Sequence, residues 1–197
     1  MCKIICVTNR KLCPDDFFDR IRRICDAGVD ALILREKDLP SSEYHELAEK
    51  ASEICRVNGV SFIRHSYPFE GKGDAIHLPL PVLRVLEHSD GYSMIGSSVH
   101  SIPEAQEAQS LGAAYLTAGH IFETDCKAGL PGRGVGFLSE VCSSVTVPVY
   151  AIGGITPENA GKVIRAGAAG ICVMSSLMTC KDLSGLINEL RRGMNER

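Results

Sequence analysis

Short apolar segments alternate with longer amphipathic segments along the whole 197-residue sequence. The apolar segments are typical of buried strands, and the segments between them repeat apolar residues at helical spacing. The first strand is predicted over residues 3–8, and a helix follows that ends near Gly28. Seven more strands are predicted over residues 31–34, 61–64, 75–78, 94–97, 115–118, 148–152 and 170–174. Strands and helices in this order predict a parallel sheet with right-handed crossovers.

Eight parallel strands can close into a barrel, and closure leaves no exposed sheet edge. The sequence therefore predicts an α/β protein with one domain over residues 1–197, a (β/α)8 TIM barrel. The chain is just shorter than the usual minimum of roughly 200 residues for this fold, so its loops must be short. A doubly wound open sheet is the alternative, but it would leave edges exposed. No third helix is evident in residues 67–74.

Helix boundaries are predicted from capping residues and prolines. Ser41 or Ser42 is expected to cap a long helix that ends at Gly59. A brief helix is expected over residues 82–86, and another begins at 101–103, where a serine cap precedes a proline. A helix is also expected from residue 156.

The composition is that of a globular protein in water, with 45% hydrophobic and 23% charged residues. A net charge of −3 does not favour nucleic acid as a partner. No apolar run approaches the ~20 residues of a membrane helix, and the N-terminus does not resemble a signal peptide. We therefore expect a cytoplasmic protein with a small-molecule substrate, and homo-oligomerisation stays open.

Nine cysteines occur in the sequence, without a C-x-x-C pair. Most lie in apolar segments, where a thiol behaves as a small hydrophobic group. We expect reduced structural thiols, because disulfides are rare in the cytosol. Cys126 differs from the others because it lies in a polar loop.

That loop, residues 119–134 with the sequence GHIFETDCKAGLPGRG, is the predicted active site. Its glycines and proline argue against a helix, and loops on a rigid scaffold often carry catalytic groups. His120 has an ordinary pKa suited to proton transfer near neutrality, although a lone histidine is more often a hydrogen-bonded bystander. His77 and His100 are expected to tie strand ends to their neighbours. No cluster has metal-ligand spacing, so no metal is predicted.

Other polar residues follow the predicted strands, and TIM-barrel active sites form at that end of the barrel. Arg35 is expected to point into the barrel mouth, where its guanidinium suits a carboxylate or phosphate, whereas residues 36–38 are interpreted as salt-bridged support. Glycines and serines after the last two strands are interpreted as a phosphate site, because loops there frequently bind phosphate. The alternative is that the glycine pair only turns the chain. The predicted phosphate-binding residues are Gly153, Gly154, Ser175 and Ser176.

Five segments together resemble the thiamine phosphate synthase superfamily. They are LILREKD (32–38), IGSSVHS (95–101), AGHIFETDCK (118–127), AIGGITPENA (151–160) and AGAAGICVMSSLM (166–178). They occur in the family's order over nearly the whole chain. The resemblance implies a single (β/α)8 barrel, as the strand pattern does.

Two branches of that superfamily have different chemistry. The synthase branch joins a pyrimidine pyrophosphate to a thiazole phosphate with Mg²⁺ held by acids, whereas this chain has Arg64-His65-Ser66 and His77-Leu78-Pro79-Leu80 where that branch carries its acidic motifs. Mg²⁺ needs oxygen ligands. The loop is more similar to that of the TenI-type thiazole tautomerases, Gly-His-x-Phe-Glu-Thr-Asp-Cys-Lys.

The tautomerase resemblance implies an isomerase that converts a dihydrothiazole phosphate carboxylate to its aromatic tautomer without a cofactor. It implies that His120 is the acid–base catalyst. The implied substrate-binding residues are Arg35, Ser98, Thr124, Asp125, Cys126 and Lys127. The alternatives are a Mg²⁺-dependent thiamine phosphate synthase and a regulator that binds thiamine intermediates without catalysis.

Overall fold

Eight parallel strands form a closed barrel in which each strand pairs with the next in sequence and the last pairs with the first. The computed structural model describes residues 2–66, 74–86, 91–124, 127 and 129–196. The strands are β1 Lys3–Val7, β2 Ala31–Leu34, β3 Ser61–His65, β4 Ala75–Pro79, β5 Met94–Val99, β6 Tyr115–Gly119, β7 Val149–Ile152 and β8 Gly170–Val173. The predicted (β/α)8 TIM barrel is confirmed.

The helices pack around the outside of this barrel. They are α1 Phe17–Asp26, α2 Ser41–Val57, α3 Leu80–Arg84, α4 Ile102–Ser110, α5 Gly134–Ser144, α6 Pro157–Arg165, α7 Ser175–Thr179 and α8 Leu183–Asn195, with a 3-10 turn at Arg10–Leu12. At the start of α4, Ser101 Oγ accepts a hydrogen bond from the Glu104 N–H, so the predicted serine cap is confirmed there.

Two predicted helix starts are wrong. Ser41 is already the first residue of α2, and the preceding Pro40 occupies the cap position without a side-chain hydrogen bond. Helix α3 begins at Leu80, two residues before the prediction, because Pro81 fits the first turn of a helix. The short helix α7 was not predicted. Of the segment 67–74, in which no helix was found, residues 67–73 lie outside the described part of the chain.

Side chains alternate between the inside and the outside of the barrel along each strand. One buried cluster fills the inside with Ile5, Val7, Ala31, Ile33, Ile63, Tyr115, Tyr150 and Cys172. Residues between them, such as Ile4, Cys6 and Leu32, pack outward against the helices in a larger cluster. Successive residues of a strand point to opposite faces of the sheet. Within each strand, every second side chain therefore lies inside the barrel and the others face the helices.

A tyrosine crosses the barrel interior because β5 carries a glycine beside it. A Cβ atom on Gly96 would lie 2.0 Å from Cζ of Tyr115, closer than packed atoms can approach. The absence of a side chain at Gly96 therefore makes room for the Tyr115 ring. That ring contacts Tyr150 edge-on, with 5.8 Å between the ring centroids.

The eight cysteines in the described part of the chain are free thiols. Cys25 and Cys55 approach to 3.9 Å between their sulfur atoms, where α1 packs on α2. Among the described residues, no helix has both the length and the apolar character required to cross a membrane.

Candidate active site

A cavity of about 420 Å³ opens at the carboxyl ends of the strands, the end of a TIM barrel where active sites form. Strands β3, β4, β5 and β6 each contribute at least one polar or glycine residue to this cavity, and the loops after the strands supply most of the other polar residues. Val7, Ile33, Ile152 and Cys172 form apolar parts of the wall. The wall of the cavity is therefore partly apolar, and polar residues from the strands and the loops complete it.

The alternation of side chains between the inside and the outside of the barrel continues past the end of β2. It places the charged residues that follow β2 on two different sides of the segment. Ile33 points into the barrel, and Arg35 and Lys37 both line the cavity. Glu36 lies between them and is 2% exposed on the other side. Two cations thus face the cavity from one short segment.

Glu36 is part of the support behind that segment. Its carboxylate accepts a 2.7 Å hydrogen bond from the Thr8 hydroxyl, and also accepts from the backbone N–H of Arg10. Thr8 Oγ1 in turn accepts from the Arg35 N–H at 2.9 Å. Asp38 pairs with the Arg10 guanidinium. These contacts agree with the predicted supporting role of Glu36 and Asp38, and they fix the backbone that presents Arg35.

Two stacked histidines lie below the mouth. The rings of His65 and His77 are parallel to within 21°, with 5.7 Å between their centroids. His77 Nδ1 is 3.0 Å from the Tyr115 hydroxyl, and its Nε2 is 2.8 Å from Ser98 Oγ. The Thr117 hydroxyl donates to the same Ser98 oxygen at 3.1 Å. The prediction that His77 ties a strand end to its neighbours is consistent with these contacts, which join β4, β5 and β6.

Both histidines are held in the neutral form. Burial, with a smaller contribution from the charge on the nearby Lys37, lowers the pKa of His77 to about 3. Burial, followed by the charges on neighbouring groups that include Lys37 and Arg35, lowers the pKa of His65 to about 2. At neutral pH the floor of the cavity therefore carries polar but uncharged side chains.

The loop that follows β6 is held against the loop after β7. The Ile121 N–H donates to the Ile152 carbonyl, and the Phe122 N–H donates to the Gly153 carbonyl. Gly153 has a φ of +101°, and a Cβ there would lie 2.4 Å from Cβ of His120. The alternative interpretation, that the glycine pair shapes the chain, is thus sufficient to explain Gly153 without a ligand.

His120 is half-buried at the mouth of the cavity, and its Nε2 is 3.2 Å from the Leu130 carbonyl oxygen. Its own carbonyl accepts from the Arg133 N–H, which closes the loop. His100 also lines the cavity, and its Nδ1 is 2.9 Å from the Gly119 carbonyl oxygen. The backbone around His120 is therefore fixed on both sides.

The cavity brings together most of the predicted site residues: Arg35, Ser98, His120, Thr124, Lys127, Gly153, Gly154, Ser175 and Ser176. Asp125 and Cys126 lie outside the described residues. Lys37 was interpreted as salt-bridged support and His65 was given no binding role, but both of these side chains also line the cavity. The alternation of side chains was the available signal, because it places 35 and 37 on one side of the segment.

The acid-bound Mg²⁺ of the synthase branch does not fit the residues that the structure describes. No carboxylate is among the described side chains that line the cavity. Glu36 is engaged by Thr8 and Arg10, and the Asp74 carboxylate accepts a hydrogen bond from Arg64 Nε at 2.7 Å. Within the described ranges, no three His, Cys, Asp or Glu side chains are grouped to hold a metal ion.

Together, the fold and the cavity define a TIM barrel with a cation-lined cavity at its carboxyl end. The family described as thiamine monophosphate synthase matches residues 4–177, and the chain belongs to that family. It is 32% identical to a thiamine-phosphate synthase of Fusobacterium nucleatum, with 98% of each chain covered. It is 34% identical to a thiamine-phosphate synthase of Syntrophomonas wolfei, with 94% of this chain and 93% of the relative covered.

A solved structure gives the same result. The thiamine phosphate pyrophosphorylase from Pyrococcus furiosus superposes with a TM-score of 0.82 at 30% identity, with 97% of this chain and 94% of that one covered. The prediction of an isomerase of the thiazole tautomerase type is therefore wrong. Relatives over nearly the full chain are named as synthases, so the alternative of a thiamine-phosphate synthase is the better supported one.

Proposed function

We propose that the chain is a transferase of the thiamine-phosphate synthase type. The observation that carries this proposal is its similarity to proteins with that name over 94% or more of its length. The cavity is compatible with the reaction, because cations at its mouth suit two anionic substrates. In this reaction, a phosphorylated thiazole is joined to the methylene carbon of a pyrimidine diphosphate.

The bond changes are those of a substitution at carbon. The thiazole nitrogen donates an electron pair to the methylene carbon, and the carbon–oxygen bond to the diphosphate breaks. The electron pair of that bond leaves with pyrophosphate, and the positive charge stays on the thiazolium ring. No net proton transfer is needed, so the proposal does not require the neutral histidines to titrate. Their stacked rings would supply a fixed surface for a planar heterocycle.

We assign the thiazole phosphate to the loops after β7 and β8, with Gly153, Gly154, Ser175 and Ser176. These residues line the same cavity, and their hydroxyls and backbone N–H groups are suitable donors to phosphate oxygens. Charge-assisted hydrogen bonds contribute about 1.5–3 kcal/mol each. The phosphorylated thiazole should therefore bind at least about tenfold more tightly than its alcohol. Equal affinities in calorimetry would contradict this assignment.

His120 is assigned to substrate contact at the cavity mouth, together with Arg35, Ser98, Thr124 and Lys127. The backbone contacts of His120 give it a fixed position, as a binding residue requires. Asp125 and Cys126 remain predicted binding residues of the same loop.

The test is the condensation itself. The purified protein is incubated with the phosphorylated thiazole and the pyrimidine diphosphate, and thiamine phosphate is measured by chromatography beside released pyrophosphate. Equal amounts of the two products above a protein-free control are expected, in either EDTA or Mg²⁺. Arg35→Gln should reduce the rate by at least about tenfold, because one cation is lost from the anion site. Lys162→Gln, at an exposed position on α6, is the matched control. Failure to form thiamine phosphate under both conditions would reject the proposed function.

A further inference from the structure

The hydrogen-bond ladder between β2 and β3 runs toward the mouth of the cavity. The Ser61 N–H donates to the Asp30 carbonyl, and the two strands keep this register up to the pair Leu34 and Arg64. In a parallel pair, every second residue of one strand bonds the other strand with both its N–H and its C=O. The same pattern, two residues at a time from Ser61, reaches His65, whose N–H is in register with the Leu34 carbonyl.

A tyrosine hydroxyl from α2 bonds these same two backbone groups. Tyr44 Oη donates to the Leu34 carbonyl at 2.8 Å and accepts from the His65 N–H at 2.8 Å. Tyr44 lies in the first turn of α2, where its own N–H donates to the Pro40 carbonyl, and it is 0% exposed. The hydroxyl therefore joins the ends of two strands from the helical layer outside the barrel.

The same contact holds the peptide group that precedes the Arg35 side chain. This peptide group consists of the Leu34 carbonyl and the Arg35 N–H, and the Arg35 N–H donates to Thr8 Oγ1 at 2.9 Å. Side-chain hydroxyls thus hold both polar atoms of one peptide group, Thr8 from the β1 side and Tyr44 from the β3 side. Both residues are buried, so solvent water does not compete for these bonds. Arg35 and His65 both line the cavity.

We propose that Tyr44 is a positioning residue that sets the spacing of β2 and β3 at the cavity, and thereby the position of Arg35 relative to His65. Tyr44 is not among the side chains that line the cavity, so it acts through those that are. The proposal rests on the proposed function for the reaction and for the contact of Arg35 with substrate.

The physical reason is the space that the hydroxyl occupies. A hydroxyl between two strands keeps their backbones further apart than a direct hydrogen bond of about 2.9 Å would. Removal of the hydroxyl either lets the strand ends close or deprives two buried polar groups of this partner. Both results change the mouth of the cavity, because Arg35 and His65 move with the strand ends.

Tyr44→Phe removes one oxygen atom and keeps the ring. We expect kcat/KM for the condensation to fall by at least about tenfold, because small displacements of substrate-positioning groups are costly in catalysis. Tyr150→Phe is the matched control, because it removes the same atom from another buried tyrosine that does not line the cavity. Its kcat/KM should stay within about twofold of the wild type. Thermal melts by circular dichroism verify that each variant is folded at the assay temperature.

A double-mutant cycle with Arg35→Gln separates positioning from a general loss of stability. If Tyr44 acts through Arg35, Tyr44→Phe should lower kcat/KM by less than about threefold in the Arg35→Gln background. A structural defect unrelated to Arg35 would give the same factor in both backgrounds. The proposal is overturned by equal factors, or by a kcat/KM of Tyr44→Phe within about twofold of the wild type.

Amide hydrogen exchange followed by NMR tests the contact without any reaction. The His65 N–H should exchange at least about tenfold faster in Tyr44→Phe than in the wild type. The factor at the Ile63 N–H, in the same strand, measures general destabilisation and should be smaller. Equal factors at the two amides would overturn the proposal, whether or not the protein condenses the two substrates. Selectively faster exchange at His65 in a protein that forms no thiamine phosphate would support the tyrosine contact and reject the transferase.

Discussion

The glycine beside the central tyrosine gives the sharpest test of the structure. A Cβ on Gly96 would lie 2.0 Å from Cζ, 2.3 Å from Cε1 and 2.5 Å from the hydroxyl oxygen of Tyr115. Tyr115 is only 3% exposed, so its ring has little room to retreat. Overpacking a core by one carbon typically costs about 1–3 kcal/mol. Movement of the ring would also weaken its 3.0 Å contact with His77, and such a hydrogen bond contributes about 0.5–1.5 kcal/mol.

Gly96→Ala should therefore lower the free energy of unfolding by about 2–4 kcal/mol. Urea denaturation followed by circular dichroism measures this loss. Gly136→Ala is the matched control, because Gly136 lies in α5 with no atom within 4 Å of the new Cβ. Alanine is favoured over glycine there by up to about 1 kcal/mol, so this variant should be unchanged or slightly more stable.

A double-mutant cycle identifies the cause of the loss. In a Tyr115→Leu background the ring is absent, and Gly96→Ala should cost less than about 1 kcal/mol. An equal cost of Gly96→Ala in both backgrounds would refute the argument, because the steric conflict could then not involve the tyrosine ring.

Three further predictions concern buried polar groups. The folded-state pKa values of His65 and His77 lie below the ordinary histidine value, so their contribution to stability is complete above about pH 6.5 and is lost as the pH falls toward 3. His77→Gln should therefore reduce the pH slope of the unfolding free energy by about 1.4 kcal/mol per pH unit between pH 4.5 and 6 in urea titrations, and an unchanged slope would contradict a neutral His77. Glu36→Gln should lower the free energy of unfolding by about 1.5–3 kcal/mol, because the buried carboxylate accepts charge-assisted hydrogen bonds. A loss below about 0.5 kcal/mol, as is usual for a surface substitution, would contradict the supporting role of Glu36. A thiol reagent applied to the native protein should leave the buried thiols unlabelled until urea is added, and fast labelling would contradict their placement; these thiols are Cys6, Cys25, Cys55 and Cys172.

The barrel was predictable because its signal is local and repeated. Each strand is a short apolar run, and each crossover carries the spacing of a helix, so eight repeats leave few possible topologies. The helix starts were less predictable. Pro40 rather than a serine precedes α2, and capping chemistry at a single position depends on how the incoming chain is directed.

The side chains that line the cavity were predictable from the sequence only in part. Arg35 follows an apolar strand directly, so its position at the mouth could be deduced. Lys37 could also have been placed by extending the inside–outside alternation two residues past β2. The requirement for Gly96 could not be deduced, because it depends on Tyr115 from the neighbouring strand. Long-range packing of this kind leaves no periodic trace in the sequence.

The predicted reaction is wrong because the loop after β6 resembles a tautomerase loop, whereas the chain as a whole is similar to synthases. The loop after β6 shapes one side of the cavity and supplies only one of the cations at the mouth, Lys127, whereas Arg35 and Lys37 come from the segment after β2. Similarity over residues 4–177 samples all the strands that shape the site, and it favours the synthase. Local resemblance near His120 therefore described a wall of the cavity and not the chemistry inside it.

The neutral histidines at the floor of the cavity lie close to the cations at its mouth, and the charges of the cations affect the pKa of the histidines. A protonated His65 would add another positive charge near Arg35 and Lys37, and burial together with these cations keeps its pKa low. Burial, with a smaller contribution from the cations, therefore makes the histidines poor proton carriers at neutral pH. A reaction at this site gains more from charge at the mouth than from acid–base chemistry at the floor. A substitution that releases an anionic leaving group has this requirement, since the electrons of the broken bond move toward fixed positive charge and no proton has to follow.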